Sequence, residues 1–537
     1  MIAFYVSILS LALTTVAVPY LARWSGALGL LDQPGERKIH QDPIPRVGGI
    51  AIAAGTLVSL AVWLPFTDLV SGYLIGALII MLFGVADDIS NLDYRLKFFG
   101  QIIAALVFIY VSGIWLTRPI FEIYSVVPVW FGLPLTIFWI IGVTNAINLC
   151  DGMDGLAGGS SLLASVALGY LAFSCDDKLT ALLALAIIAA VAGFLRYNTF
   201  PARVFMGDTG SQFLGFSVAV LSLILIESSN RAISPLVPLL ILGLPVSDTL
   251  FVIYKRVHAG GSPFRPDRRH LHHRLLDLGL NQYEAVLVIY TLQIILVLSA
   301  WFLRYSLDIV LLGFLLMFNA VLYWGVSYWA VHETHARSAL MKASLMDQVV
   351  SHFKATNLFK RTGQGTVLYG LTLMFLFVTL KVPGVPSDIG WLGLILGMSL
   401  LLGLFMRSVP LLAVERLSAF VLSISAVYLV NETGLLGNGV VYTYFGMLAF
   451  GISLWLRFGS SSFQVNSLDV LIILIVIAVP NMPFIKDTGL GAVFVQTLVL
   501  FYACELVLSQ NVGERIFRTG LLISLIVLAF RGIVFPH

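Results

Sequence analysis

Charge is scarce in this chain. Asp, Glu, Lys and Arg make up 11% of its 537 residues, against about 25% in an ordinary soluble domain. That excludes a globule that covers its surface with water-facing charge. Cysteine is scarcer still: Cys150, Cys175 and Cys504 stand far apart and form no CxxC pair, so they suggest no disulfide framework and read as small buried hydrophobes. The formal net charge is only +3, and no stretch interleaves basic and aromatic residues, so no nucleic acid is expected as a partner. The opening segment, MIAFYVSILSLALTTVAVPYLA, lacks a basic n-region and a clear cleavage site. It is expected to be a retained first span and not a removed signal peptide.

What the chain does have is apolar length. Hydrophobic residues make up 59% of it, and runs of about 17 to 22 of them recur throughout, each long enough to cross a bilayer as a helix. Backbone polar groups in lipid must be satisfied within the segment, so the expected fold is all-α, a polytopic integral membrane protein. Spans are predicted near 1–22, 48–65, 70–86, 100–116, 129–147, 160–174, 179–195, 212–227, 235–253, 284–303 and 309–331, which is about 11 transmembrane helices. About 7 more are predicted in the C-terminal part, near 366–382, 389–406, 410–430, 439–456, 468–484, 489–509 and 519–535. Three regions follow: a membrane-embedded domain over 1–331, a polar cytoplasmic linker or interfacial helix over 332–365, and a further transmembrane region over 366–537. No internal repeat relates the halves.

Lysine and arginine concentrate in alternate loops, which makes those loops cytoplasmic and puts the N-terminus outside. The unusual polar sequence lies on that same face: DQPGERKIHQDPIPRVGG, DDISNLDYRLK, NAINLCDGMDGLAGG, RYNTFPARVFMGDTGS and PFRPDRRHLHHRLLDLG. A transporter would usually spread polar groups along its helices at mid-membrane depth. Clustering at one interface suits a site with one reactant in water and one in lipid, although a transporter or flippase of lipid-linked sugars is the competing reading.

Asp87, Asp88, Asp151, Asp154 and Asp208 lie at three separate span ends on that face. A single such carboxylate reads as a solvated helix end; five among glycines suit a hard divalent cation such as Mg²⁺, which completes its shell with water and phosphate. Lys38, Arg46, Lys97, Arg203, Arg265, Arg268 and Arg269 share the compartment with His270, His272 and His273. They read as phosphate binders, as the positive-inside signal alone or, for the histidines, as a zinc site. DGMDGLAGG and MGDTGS each run into an apolar helix, where backbone N–H groups can approach an anion. Together these residues imply phosphoryl transfer between a nucleotide and a lipid.

At these motifs the chain resembles the polyprenyl-phosphate N-acetylhexosamine-1-phosphate transferases, of glycosyltransferase family 4 type. The stretches RKIHQDPIPRVGG, GVADDISNLDYRLKFFGQ, NAINLCDGMDGLAGG, NTFPARVFMGDTGSQFLG and PDRRHLHHRLLDLG occur in family order over roughly residues 20–330. The last is closer to the branch acting on UDP-N-acetylglucosamine. The resemblance implies Asp208 and Asn148 as the Mg²⁺ site, with Mn²⁺ as the alternative ion. It implies Asp87 and Asp88 as the pair that places or deprotonates the lipid phosphate, with Lys97 as their basic companion. Asp151 and Asp154 match the DGxDG motif, Asp154 near the nucleoside. Lys38, Arg268, His270, His272 and His273 are implied in substrate binding. The implied substrates are a UDP-N-acetylhexosamine and undecaprenyl phosphate, among membrane lipids, with UMP as leaving group. The implied place is the bacterial inner membrane with the active site on the cytoplasmic face, and the implied assembly a homodimer. N-acetylglucosamine is the default sugar, and the glycan pathway is left open. The chain beyond about 340 departs from the family pattern.

Overall fold

The computed structural model describes residues 2–33, 42–122, 126–258, 260, 270–340, 358–405, 411–458, 490–510 and 512–535. Among the described residues, thirteen helices are long and apolar enough to cross a membrane. The protein is therefore an all-α polytopic membrane protein, as composition required. Its only described strands are the two-residue pair β1 (Leu31–Asp32) and β2 (Ile44–Pro45), antiparallel to each other.

The chain divides into two compact units, residues 1–334 and the described residues from 335 on. The first contains α1 (Ile2–Trp24), α2 (Gly48–Trp63), α3 (Asp68–Ser90), α4 (Tyr94–Ser112), α5 (Val129–Cys150), α6 (Leu156–Ser174) and α7 (Lys178–Asn198). It continues with α8 (Gly207–Ile224), α9 (Val237–Ile241), α10 (Gly243–His258), α11 (Leu271–Asp277), α12 (Gln282–Leu303) and most of α13 (Asp308–Leu340).

α8 is the axis of this unit. It packs against α2, α3, α5, α6 and α7, and its apolar window is entirely buried. One close approach matters for the site. A Cβ on Gly84 would lie 2.5 Å from Thr209 Cα, so the last turns of α3 can touch the start of α8 only because residue 84 has no side chain. The entry to α8 is further stitched to the start of α2, where Gly48 and Gly49 donate N–H bonds to the carbonyls of Phe205 and Met206. At the far end of α8, a π-helical turn (Leu225–Ser229) presents Glu227, which accepts from Thr117 N and Oγ1 at 3.0 and 2.5 Å. That carboxylate is committed to tying loop to helix.

Two expected spans of the first unit differ: the one near 48–65 is the 16-residue α2, an apolar helix shorter than the thirteen. The run predicted near 235–253 is broken at Leu242 into α9 and α10. Pro238 and Pro245 each lie in a first helical turn, where a missing N–H removes no intrahelical bond. The break also allows α10 to run on to His258, carrying Lys255 and Arg256 in its last turn.

The second unit contains α14 (Leu358–Lys381), α15 (Ser387–Phe405), α16 (Leu411–Thr433), α17 (Asn438–Phe458), α18 (Leu490–Ser509) and α19 (Glu514–Val534). Among its described residues Arg518 pairs with Glu415 and Glu514, and Arg531 Nη1 donates to Thr379 O at 2.9 Å. The span predicted near 468–484 lies outside the described residues. Of the expected linker over 332–365, residues 332–340 continue α13 and 358–365 begin α14.

Candidate active site

The acidic residues expected at span ends lie there, three of them within the terminal helical turns. Asp87 and Asp88 are in the last turn of α3, Lys97 in the first turn of α4 and Asp208 in the first turn of α8. The left-handed Asn91 (φ 50°) ends α3 and reverses the chain, so that Lys97 is carried back over Asp87. Lys97 Nζ then lies 2.5 Å from Asp87 Oδ2 and 3.1 Å from Asp208 Oδ2. The Asp87 and Asp208 carboxylates are within hydrogen-bonding reach of each other. One ammonium thus bridges two carboxylates from separate spans.

Asp88 has a different use. Its Oδ1 accepts from Asp208 N at 2.8 Å; its Oδ2 accepts from Thr209 N at 3.0 Å and Thr209 Oγ1 at 2.5 Å. A carboxylate from α3 therefore caps α8, where exposed N–H groups and the helix dipole favour negative charge. Gly207, with φ +71°, makes the turn that points these N–H groups at Asp88; a Cβ there would lie 2.6 Å from Asp88 Oδ2.

Behind the charged residues is a layer of amides. Asn145 Nδ2 donates to Gln101 Oε1 at 2.7 Å, and Gln101 Nε2 donates to Gln212 Oε1 at 3.1 Å. Gln101 and Gln212 stand one helical turn beyond Lys97 and Asp208, so the network fixes both helices under the site. Asn148 Oδ1 accepts from Ser211 Oγ at 2.7 Å, which sets it beside the first turns of α8.

The DGMDG turn joins α5 to α6. Asp151 follows α5 directly. Burial, and then the carboxylates of Asp208, Asp88 and Asp154, push its carboxyl up to about 7, with Arg46 opposing. Arg46 itself is ion-paired with Asp32. Asp154 Oδ2 accepts from Ala202 N at 2.9 Å, and Asn198 Oδ1 accepts from Gly155 N at 3.0 Å. Asp154 thereby ties the DGMDG turn to the connection leading into α8.

The histidines reach the same turn. His270 is the N-cap residue of α11, and His272 is packed so closely that a Cβ on Gly152 would lie 2.5 Å from its Nε2. Burial, and then the neighbouring His273 and His270, push His272 down to about 3, so its ring is neutral at pH 7. The rings of His272 and His273 lie 4.3 Å apart. Lys38, Arg265, Arg268 and Arg269 lie outside the described residues.

Sequence reasoning missed Asp248. It is buried within α10, with its Oδ2 2.8 Å from His270 Nδ1 and its Oδ1 accepting from Leu271 N at 2.8 Å. The signal was available: a lone acid inside an apolar run is costly and calls for a partner. Thr209 and Ser211, which hold Asp88 and Asn148, had no such signal.

Among the described residues no group of three or more His, Cys, Asp or Glu side chains has metal-binding geometry. A pair nevertheless fits a hard divalent cation. Asp87 and Asp208 present hard carboxylate oxygens to one point, where the Lys97 ammonium already stands 2.5 and 3.1 Å from them. Mg²⁺ needs only one or two carboxylates, with the rest of its shell from water and phosphate.

Helical fold and site together define a membrane-embedded protein with an acidic, cation-bridged cluster at one end of its spans. The profile of glycosyl transferase family 4 matches residues 70–226, which carry Asp87, Asp88, Lys97, Asn148, Asp151, Asp154 and Asp208. The chain is 38% identical over 307 residues to the "Probable undecaprenyl-phosphate N-acetylglucosaminyl 1-phosphate transferase" of Bacillus subtilis (strain 168), covering 56% of this chain and 83% of that one. It is 31% identical over 282 residues to the "Undecaprenyl-phosphate alpha-N-acetylglucosaminyl 1-phosphate transferase" of Escherichia coli (strain K12), covering 51% and 77%. The protein of that name from Salmonella typhimurium is 32% identical over 289 residues, covering 52% and 79%. The chain belongs to the polyprenyl-phosphate N-acetylhexosamine-1-phosphate transferase family.

Proposed function

We propose that the protein transfers N-acetylhexosamine 1-phosphate, by default N-acetylglucosamine 1-phosphate, from a UDP-sugar to undecaprenyl phosphate. The observation that carries this reading is the Asp87–Lys97–Asp208 cluster at converging span ends, in a chain of this family. Its relatives are named for transfer to undecaprenyl phosphate. Positive loop charge supports a bacterial plasma membrane protein with this face in the cytoplasm.

In the reaction an oxygen of the lipid phosphate attacks the sugar-linked phosphorus. The bond from that phosphorus to the bridging oxygen breaks, and UMP leaves. Asp208 and Asn148 would hold Mg²⁺, with Mn²⁺ as the alternative and Asp87 beside them; the bound ion would neutralise charge on the diphosphate and leaving group. Lys97 supplies the fixed cation that steers a phosphate between the two carboxylates. Asp88 and Thr209 keep Asp208 on a rigid helix end, which suits catalysis by positioning and electrostatics. Asp151 and Asp154 shape the donor side with His270 and His272. The lipid phosphate has a second pKa near 6 and is mostly dianionic at neutral pH, so no strong base is needed.

Purified protein with UDP-N-acetylglucosamine, undecaprenyl phosphate and Mg²⁺ should release UMP and form a lipid-linked diphosphosugar. Chelation, or Asp208→Asn, should lower the rate about 10³-fold or more. Absence of both products from folded protein would refute the reading.

A further inference from the structure

Asp248 is a carboxylate inside an apolar helix, and both of its oxygens are directed at α11. Oδ2 meets His270 Nδ1 at 2.8 Å, and Oδ1 accepts the first N–H of α11, from Leu271, at 2.8 Å. α13 packs beside this carboxylate: the Tyr323 ring stacks on Phe251 of α10 at 3.9 Å, and Asn319 Nδ2 donates to Ser247 Oγ at 3.0 Å. Asp248 is 5% exposed and His270 4%, so each is desolvated and would be costly without the other. Three elements distant in sequence, α10, α11 and α13, therefore meet around one side chain.

The consequence lies in the ring of His270. Its Nδ1–H is directed to Asp248, which fixes tautomer and orientation and leaves Nε2 as the uncommitted nitrogen among the described residues. The ring stacks parallel to that of His272, centroids 5.7 Å apart at 7°, and His272 lies against Gly152 of the DGMDG turn. Asp248 thus controls where the histidines stand relative to Asp151 and Asp154.

We propose that Asp248 is the positioning residue for the donor half of the site: it holds His270 so that Nε2 addresses the nucleotide sugar. The proposal rests on the transferase reading above. A carboxylate that orients a ligand-binding imidazole contributes about 10- to 100-fold where such pairs have been measured at metal centres, and a similar factor is expected here.

The test is a double-mutant cycle of Asp248→Asn and His270→Ala in the full chain. Asn keeps the volume and an acceptor for Leu271 N, but removes the charge that orients the ring. Asp248→Asn should lower kcat/KM for UDP-N-acetylglucosamine about 10- to 100-fold, leave KM for undecaprenyl phosphate within about twofold, and leave the melting temperature close to wild type. In the His270→Ala background it should cost less than about twofold more. Losses that multiply in the double variant, wild-type kinetics in Asp248→Asn, or losses that follow the unfolded fraction each overturn the proposal. Calorimetric binding of UDP-N-acetylglucosamine to the four proteins reads the same coupling without turnover. A wild type that binds the nucleotide sugar but releases no UMP sinks the transferase reading and still tests Asp248; a wild type that does not bind it sinks both.

Discussion

Asp87 and Asp88 are adjacent in sequence and opposite in use. Asp88 accepts three hydrogen bonds from the start of α8, whereas Asp87 faces Lys97 and Asp208. Replacing Asp88 by Asn should cost about 1–3 kcal/mol of stability, because an amide cannot accept all three donors, and should lower activity with it. Replacing Asp87 by Asn should leave stability nearly unchanged and remove most turnover. Neither loss should be rescued steeply at high pH, since the acceptor phosphate is already ionised; rates measured between pH 6 and 9 decide this. Asp151 gives a pH prediction with a definite sign. Its folded pKa, about 7, lies above the ordinary carboxylate value of about 4, so the folded state binds the proton more tightly. The stability from that proton is complete below about pH 4 and lost as pH rises through 7. Asp151→Asn should therefore raise the melting temperature of the chelator-treated protein at pH 8 while lowering turnover. His272 runs the other way. Its folded pKa, about 3, lies below 6.5, so stability falls as pH drops from about 6.5 toward 3. His272→Gln should flatten that slope in thermal melts.

The site is an affair of helix ends. Sequence showed which segments were polar and that they shared a face. It placed the acids at span ends, within stretches such as DDISNLDYRLK and MGDTGS that look like turns. The structure keeps Asp87, Asp88 and Asp208 helical, since each has a partner across the helix interface that a loop residue would lack. Gly84 enables that arrangement. Gly84→Val would force α3 away from Thr209, costing about 1–3 kcal/mol as an overpacked contact. The capping of α8 by Asp88 would weaken with it, visible as lower thermal stability and lower turnover together. Asp248 was hidden for a different reason. It was absorbed into a predicted continuous span, and only the break at Leu242 and the return of α11 show what it faces.

Across the whole molecule, the family match and the Asp87–Lys97–Asp208 cluster both fall in residues 1–334. The second unit has its own packing and its own ion pairs. A chain ending after residue 340 should therefore still release UMP, with kcat within about tenfold of the full protein. An assay of the truncated protein in detergent reads this; loss of turnover from a folded truncate would assign the second unit a part in the reaction.

The sequence by itself determined the solvent of this protein, the helical character of its spans, the grouping of its polar stretches at span ends and the order of its motifs. These follow from composition, from apolar run length and from loop charge, which are properties of neighbouring residues. Only the tertiary structure decided that Asp88 caps a helix while Asp87 faces Lys97 and Asp208, and that Asp248 holds His270. Those roles depend on contacts between residues 10 to 121 positions apart, across helix ends that no local pattern brings together.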